Sequence, residues 1–418
     1  MNYDVQLFNA TGTYSAINLD KMVRDVASGK ETHDFRHTPK GKKKQSPMDS
    51  SRKSRYINFN AERQKILSQC HVVCTTLSGA GSKAFIESVT RDEFPHFEFD
   101  AVIIDEACQG SEMSTLIPFK YNPNVVILVG DPNQLPVMSF SPDASRCNAD
   151  RSLFDRLHAN GWPVNMLRIQ YRMHPSIVSF PSKTFYNNNL ITCDLIKNRS
   201  PAQWHDHIAF PPYLLWNMNG VNGGVMSRGS NGGIWNMAEA TFVVNLLKGF
   251  ARRYPGIRNI DIGIISFYND QVARIKDKMK DKDLLRWMNS NNVSVQVSTV
   301  DGFQGSEKDI IILSCVRSRW EGSKVSKDIG FLKDFRRVNV ALTRAKYSLW
   351  VVANCDMLSK DPLWNSLIED AHVRNLISES RNLSTWMEED TIRKPKSKKW
   401  RKGGRKGKSN NNKMKKEE

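Results

Sequence analysis

Apolar positions fall in short runs along this chain, and two of those runs end abruptly in polar groups. The first is Ala101-Val-Ile-Ile-Asp-Glu-Ala-Cys-Gln109. Its apolar, mostly β-branched residues predict a strand buried on both faces. Asp105 and Glu106 then emerge at the carboxyl end, where open parallel sheets bind ligands. The second run, Asn124-Val-Val-Ile-Leu-Val-Gly-Asp131, predicts another buried strand and leads into Pro132-Asn-Gln-Leu-Pro136. Two such strands would aim their polar ends at one crevice. One carboxylate can hold Mg2+, usually through water, and the other can orient and deprotonate an attacking water. Gln134 can bridge a phosphate oxygen and a water. Taken alone, an Asp-Glu pair also fits a strand that stops at a charged turn.

The rest of the pattern alternates. Strands are predicted at 71–76, 163–169, 213–216, 262–266, 293–299, 309–316 and 347–353. Helices are predicted at 60–69, 111–118, 152–159, from Pro175 onward, at 237–253, 270–280, 338–345 and 362–373. Such alternation predicts an α/β fold with parallel sheets and right-handed crossovers. The pattern divides near residue 166 into a unit at 60–165 and a unit at 166–380. The loop Leu77-Ser-Gly-Ala-Gly-Ser82 is built of small residues that let a backbone approach a ligand. It suits either a nucleic-acid phosphate contact or a plain strand-to-helix turn. Residues 192–235, rich in Gly, Asn and Trp, read as surface loops around one strand. Residues 1–59 and 381–418 read as disordered basic segments, with room for a short helix at 17–26.

Charge sharpens this division. Of the net +18 on 418 residues, 393–418 carries +11 and 36–55 carries +7, so the remainder is formally neutral. The basic character belongs to the two polar segments and suits nuclear targeting or sequence-indifferent nucleic-acid contact. Nuclear localisation is expected, with the cytoplasm as the alternative. No apolar run approaches the roughly 20 residues of a membrane span, and no basic-then-apolar signal opens the chain. Seven scattered cysteines, of which only Cys70 and Cys74 lie close, read as ordinary thiols in a reducing compartment.

Several motifs then stand in one order. They are Thr75-Thr-Leu-Ser-Gly-Ala-Gly81, Ile104-Asp-Glu-Ala-Cys-Gln109, Val129-Gly-Asp-Pro-Asn-Gln-Leu-Pro136, Gln170-Tyr-Arg-Met-His-Pro175, Ile262-Gly-Ile-Ile-Ser-Phe-Tyr268, Ser298-Thr-Val-Asp-Gly-Phe-Gln-Gly-Ser-Glu-Lys308 and Arg337-Val-Asn-Val-Ala-Leu-Thr-Arg-Ala-Lys346. Together they resemble the superfamily 1 helicases of the Upf1-like group, most of all the senataxin branch, over residues 60 to 376. The resemblance implies two RecA-like parallel-sheet domains, ATP between them and single-stranded RNA or DNA across the top. It implies that Asp105 ligates Mg2+, Glu106 is the general base and Gln134 senses the γ-phosphate. Tyr171 would stack on the adenine, Arg172 and Arg344 would act as arginine fingers, and Glu307 would reach the ribose with Gly305 beside it. Thr75, Ser78, Pro136, Tyr268 and Thr299 would lie near the nucleic-acid path. It also implies 5′ to 3′ movement and, as candidate partners, RNA-processing or transcription-termination factors. Either arginine could instead form a structural ion pair.

The departures are specific. The family begins its first domain with a strand and a Gly-rich loop ending Gly-Lys-Thr or Gly-Lys-Ser, whose N–H groups and Lys cradle the phosphates. No Gly-x-x-x-x-Gly-Lys-Ser/Thr occurs in this sequence. Gly41-Lys42 is followed by Lys43, and Gly407-Lys408-Ser409 matches only the ending, with Lys402 where the first glycine belongs. The family's upstream adenine-reading glutamine is also missing, and Phe267 stands where the family usually has proline. Lacking its phosphate-loop strand, the first sheet is expected to expose an apolar edge and to fold poorly, while the second unit folds on its own. The sequence therefore reads as the C-terminal part of an ATP-dependent helicase, whether a truncated gene model, a split product or a degenerate copy. The alternative is a catalytically inactive nucleic-acid or partner-binding remnant.

Overall fold

The computed structural model describes residues 6–8 and, with breaks at 65, 68–69, 90–97, 140, 199–200, 220–223, 231 and 321–328, residues 63–388. The helix expected at 17–26, the start of the helix expected at 60–69 and the charged stretches 36–55 and 393–418 lie outside the described residues.

β1 (Gln6–Phe8) pairs antiparallel with β2 (Val72–Cys74). β3 (Ala101–Ile104) and β4 (Val125–Leu128) pair in parallel, Ala101 opposite Val125 and Ile104 opposite Leu128. β5 (Ile169–Gln170) is followed by helix α1 (Pro175–Phe185), which starts on Pro175 as its fixed φ favours, and then by β6 (Ile191–Thr192), the parallel partner of β5. The chain continues through β7 (Tyr213–Asn217) and the hairpin of β8 (Met226–Arg228) and β9 (Ile234–Asn236). It then runs through α2 (Met237–Arg253), β10 (Asp261–Ser266), α3 (Asn269–Lys278), α4 (Lys282–Ser290), β11 (Ser294–Thr299), β12 (Lys308–Ser314), α5 (Phe335–Leu342) and β13 (Ala345–Ala353). It ends in α6 (Pro362–Val373), β14 (Ile377–Glu379) and α7 (Asn382–Glu388).

One sheet dominates, with six parallel strands in the order β11-β10-β12-β13-β7-β14. Side chains alternate across it. Ile311 and Leu313 of β12 face a core shared with Ile177 of α1, Val338 and Leu342 of α5 and Trp364 of α6. Ile310 and Ile312 face the opposite core, with Leu246 and Phe250 of α2 and Ile275 of α3. The sheet is thus covered on both faces, which explains why its strands read as continuous apolar runs.

The β3–β4 pair is different. Among the described residues these two strands pair only with each other, and their apolar face is open. Ile103 is 67% exposed, and its neighbours Val125 and Ile127 are also exposed. The expected strand at 163–169 shrinks to Ile169–Gln170, leaving Trp162, Val164, Met166 and an 83%-exposed Leu167 in unpaired chain. Strand-forming side chains there have no neighbouring strand to bond, so the ladder cannot form. Both stretches thus expose apolar side chains that no other described strand covers.

Three other expectations change. The small-residue loop at 77–82 is a helical turn over Leu77–Ala80, because Thr76 caps it by accepting the Gly79 N–H at 3.0 Å. The irregular stretch at 192–235 contains the β8–β9 hairpin. Order also runs past 380. α7 docks Leu383 and Trp386 against the α2 side of the sheet, where Trp386 meets Trp216 with ring centroids 5.4 Å apart. Seven residues with one apolar stripe beside a charged run gave too little periodicity to show this.

A buried carboxylate fixes one bend of the large sheet. Glu239, in the first turn of α2, accepts from Ser314 Oγ at 2.8 Å and from the Val316 N–H at 2.8 and 3.0 Å. Val316 has φ of 70°, a left-handed geometry that a β-branched residue adopts only when its surroundings impose it. Burial lifts the Glu239 carboxyl to about 7, against the hydrogen bonds that lower it. Asn236, Gln271 and Ser318 around it are uncharged, and Cys315 is the ionisable neighbour. The unfolded carboxyl loses its proton near its ordinary 4.5 and the folded one near 7. Between those values the unfolded chain binds fewer protons, so stability falls as pH rises and levels off above 7. The loss is on the order of 3 kcal/mol. Glu239→Gln should flatten this slope in urea titrations at pH 5 and pH 8. An equal pH dependence in both proteins would show that the carboxyl is not protonated in the folded state.

Candidate active site

Two strand ends and their following loops are fastened together by backbone. Ala107 N–H donates to Val129 C=O at 2.8 Å, and Val129 N–H donates to Ile104 C=O at 2.8 Å. Gly130 passes so close to Cys108 that a Cβ there would meet its Sγ at 2.8 Å and its N at 3.0 Å. A side chain at 130 would push the Gln134 loop away from the carboxylates. Glu106 itself sits at φ 52°, a strained position for a non-glycine residue of the kind that gathers at functional sites. Its N–H donates to Asp105 Oδ1, and Gln109 Nε2 donates to its Oε2. Asp105 remains exposed at the strand end.

The Asp131–Gln134 loop is tied to α1, α5 and the residues that follow each of them. Asp131 organises it, accepting the Asn133 N–H and Gln134 Nε2, each at 2.9 Å. Tyr186 OH donates to Asp131 Oδ2 at 2.6 Å. Asn133 Nδ2 donates to Phe185 C=O, Asn339 Nδ2 to Asn133 C=O and Arg336 Nε to Pro132 C=O, at 2.9 to 3.0 Å. Arg344 Nη2 donates to Gln134 Oε1 at 3.0 Å. Gln134 and Arg344, 210 positions apart in sequence, therefore meet. Arg344 is 2% exposed and is held by Val340 C=O and Thr343 Oγ1. Burial, and then repulsion from Arg172, lower its pKa to about 10, which still leaves it charged at neutral pH.

Arg172 is engaged differently. Its Nε donates to Glu307 Oε2 at 2.6 Å and its Nη1 to Thr343 C=O at 3.0 Å. Lys346 Nζ pairs with the other Glu307 oxygen at 3.2 Å. Burial raises the Glu307 pKa, but the Arg172 and Lys346 hydrogen bonds outweigh it and the net shift is downward. Arg172 thus forms an ion pair, the alternative open to either arginine, whereas Arg344 contacts no carboxylate among the described pairs. Tyr171 projects beside Arg172, 62% exposed. Gly305, at φ 71°, turns the chain between Gln304 and Glu307. Gln304 Nε2 is buried with no hydrogen-bond partner among the described residues.

Of the residues expected on a nucleic-acid path, Ser78 is exposed, while Pro136 and Thr299 are half-buried. Thr75 Oγ1 is buried without a partner. Tyr268 is only 5% exposed, and its hydroxyl accepts from Arg317 Nε at 2.6 Å. The sequence reading missed Asp131, Tyr186, Asn339 and Arg336 as organisers of the cleft. Asp131 and Asn339 stood inside the quoted motifs, and Tyr186 ends the helix that begins at Pro175.

The donor set fits a nucleoside triphosphate from one side. It offers two guanidiniums, a glutamine amide, an exposed aromatic ring and two carboxylates. Among the described residues no group of three or more His, Cys, Asp or Glu could hold a metal alone. Mg2+, which takes one or two carboxylates plus phosphate oxygens and water, fits Asp105 only alongside a bound phosphate. No described helix is long and apolar enough to cross a membrane.

Comparison with known proteins agrees with these motifs. Two family models match, each described as an AAA domain, one over residues 14–142 and one over 149–356. The chain is 39% identical over 318 residues to helicase sen1 of Schizosaccharomyces pombe, covering 75% of this chain and 18% of that protein. It is 39% identical over 339 residues to the probable helicase MAGATAMA 3 of Arabidopsis thaliana, covering 80% and 39%. It is 37% identical over 324 residues to the probable helicase senataxin of Mus musculus, covering 75% and 12%. The chain spans less than half the length of these curated relatives.

Proposed function

Starting from the fact that this chain belongs to the Upf1-like helicases of superfamily 1, with sen1- and senataxin-type helicases among its relatives, we propose that it carries the hydrolytic groups and part of the nucleic-acid grip of an ATP-driven 5′ to 3′ translocase on single-stranded RNA or DNA. The observation that carries this reading is the meeting of Arg344 with Gln134 across the cleft. Phosphoryl transfer needs placement and charge stabilisation more than covalent chemistry. A water-orienting amide and a buried guanidinium from the facing unit provide both only when the cleft is closed.

In this reading Glu106 takes the proton from the attacking water, which Gln134 orients. Arg344 stabilises the charge that develops on the transferred phosphoryl oxygens. Arg172 joins it by exchanging Glu307 for phosphate, and the freed Glu307 turns to the ribose beside Gly305. The exposed Tyr171 ring covers the adenine. Bound Mg2+, held through Asp105, would neutralise charge on the phosphate oxygens. Thr75, Ser78, Pro136 and Thr299 line the strand's path. The basic tail directs the protein to the nucleus, among RNA-processing or transcription-termination factors.

The proposal includes a phosphate loop supplied from outside these 418 residues, on a strand received beside β4. The open β3–β4 face and the unpaired apolar chain at 162–169 support this. Steady-state phosphate release with and without a single-stranded oligonucleotide tests it. The 418-residue chain should release phosphate negligibly, because its sequence carries no Gly-x-x-x-x-Gly-Lys-Ser/Thr loop to hold the β- and γ-phosphates against Asp105 and Gln134. Joined to a family-type segment bearing Gly-Lys-Thr, it should become an ATPase stimulated by the oligonucleotide. Robust release from the chain alone would refute the missing-loop reading. Silence from the joined protein would favour the second reading, an inactive nucleic-acid or partner-binding remnant, which the lost loop itself supports.

A further inference from the structure

Gly330 to Arg337 carries two large aromatic rings outward in a stretch whose backbone is fixed. Phe331 is 59% exposed and Phe335 is also exposed, although Ile329 and Leu332 beside them are fully buried. Gly330 holds φ 58°, and a Cβ there would strike the Arg317 guanidinium at 2.0 Å. Trp364 Nε1 donates to Leu332 C=O at 2.8 Å, and Asp334 caps α5. The Phe331 ring is therefore presented by a rigid turn and is not a side chain left over on a loop. The Tyr268 ring lies 5.9 Å from it, and the Arg337 guanidinium 5.8 Å. Arg336 lies 5.3 Å from the Phe335 ring and donates to Pro132 C=O in the cleft loop. Arg337 also pairs with Asp301, two positions beyond Thr299. The two rings thus stand between the Thr299 turn and the loop that leads to Pro136.

We propose that Phe331, with Phe335 next along the strip, is a base-stacking platform for single-stranded nucleic acid where it passes from one unit to the other. Aromatic faces flanked by arginines bind successive bases without sequence preference. Tyr268, buried beneath, acts as the support of this platform and does not itself meet the strand. The assignment rests on the nucleic-acid-binding part of the reading above.

Fluorescence anisotropy with the full 418-residue chain tests it, using a labelled single-stranded oligonucleotide and the same backbone with abasic sites. Phe331→Ala should weaken binding of the base-bearing strand roughly tenfold. It should leave the dependence of log affinity on log salt unchanged, since no phosphate contact is lost, and leave the abasic strand unaffected. Phe331→Trp should restore affinity, which a merely structural role would not produce. Equal weakening on both strands, or none on either, would overturn the platform while leaving the helicase reading intact. No binding by the unaltered chain would overturn both.

Discussion

In the protein joined to a phosphate-loop segment, Arg344→Ala lowers oligonucleotide-stimulated phosphate release by roughly a thousandfold or more, with ATP binding changed only a few-fold. A thousandfold corresponds to about 4 kcal/mol of transition-state stabilisation. That magnitude suits a guanidinium that is already desolvated and aimed. Arg344 is buried, fixed by Val340 and Thr343, and touches Gln134 while forming no direct ion pair among the described residues. Arg344→Lys should not rescue, because the single ammonium nitrogen does not reproduce the planar fork with which the guanidinium can meet Gln134 and a phosphate oxygen at once. Glu106→Gln should abolish turnover and spare binding, since it removes a base and keeps the side chain's shape. Equilibrium binding of ATP beside steady-state release separates the two effects. If Arg344→Ala retained full turnover, the residue would be only a tie between the units.

Limited proteolysis of the unmodified chain cuts within 98–139 on the order of a hundredfold sooner than within 237–320 or 329–373. The six-stranded sheet is covered on both faces, and opening it exposes Trp350, Trp216 and Phe250 together. Among the described residues the β3–β4 pair has one open face and no further strand at either edge, so its local opening exposes little that is not exposed already. Mass spectrometry of early fragments reads the order of cuts. Equal resistance of the two regions would mean that the first unit is complete as it stands and that the missing-strand argument is wrong.

Much of this was legible because local pattern and burial agree in the large unit. The helices Met237–Arg253 and Pro362–Val373 match their apolar periodicity residue for residue, and Asp105 and Glu106 do follow a parallel strand. What stayed hidden depends on distant neighbours. The Tyr186–Asp131 and Asn339–Asn133 bonds join residues 55 and 206 positions apart, which no window of sequence displays. The burial of Tyr268 depends on Arg317 and on the turn at Gly330. The strand expected at 163–169 had the right side chains, but a strand needs a partner and a pattern cannot supply one.

The fastening of the Asp131–Gln134 loop bears on the order of events. Five hydrogen bonds hold it to Phe185, Tyr186, Arg336, Asn339 and Arg344. At roughly 1 kcal/mol net apiece, they favour the arrangement in which Gln134 and Arg344 meet. A ligand that must enter between the units then binds only the open minority, and its apparent affinity is weakened by that fraction. The same latch delays departure of the products. In such a machine closure costs nothing at the moment of reaction, and the interval between steps is set by how often the latch lets go.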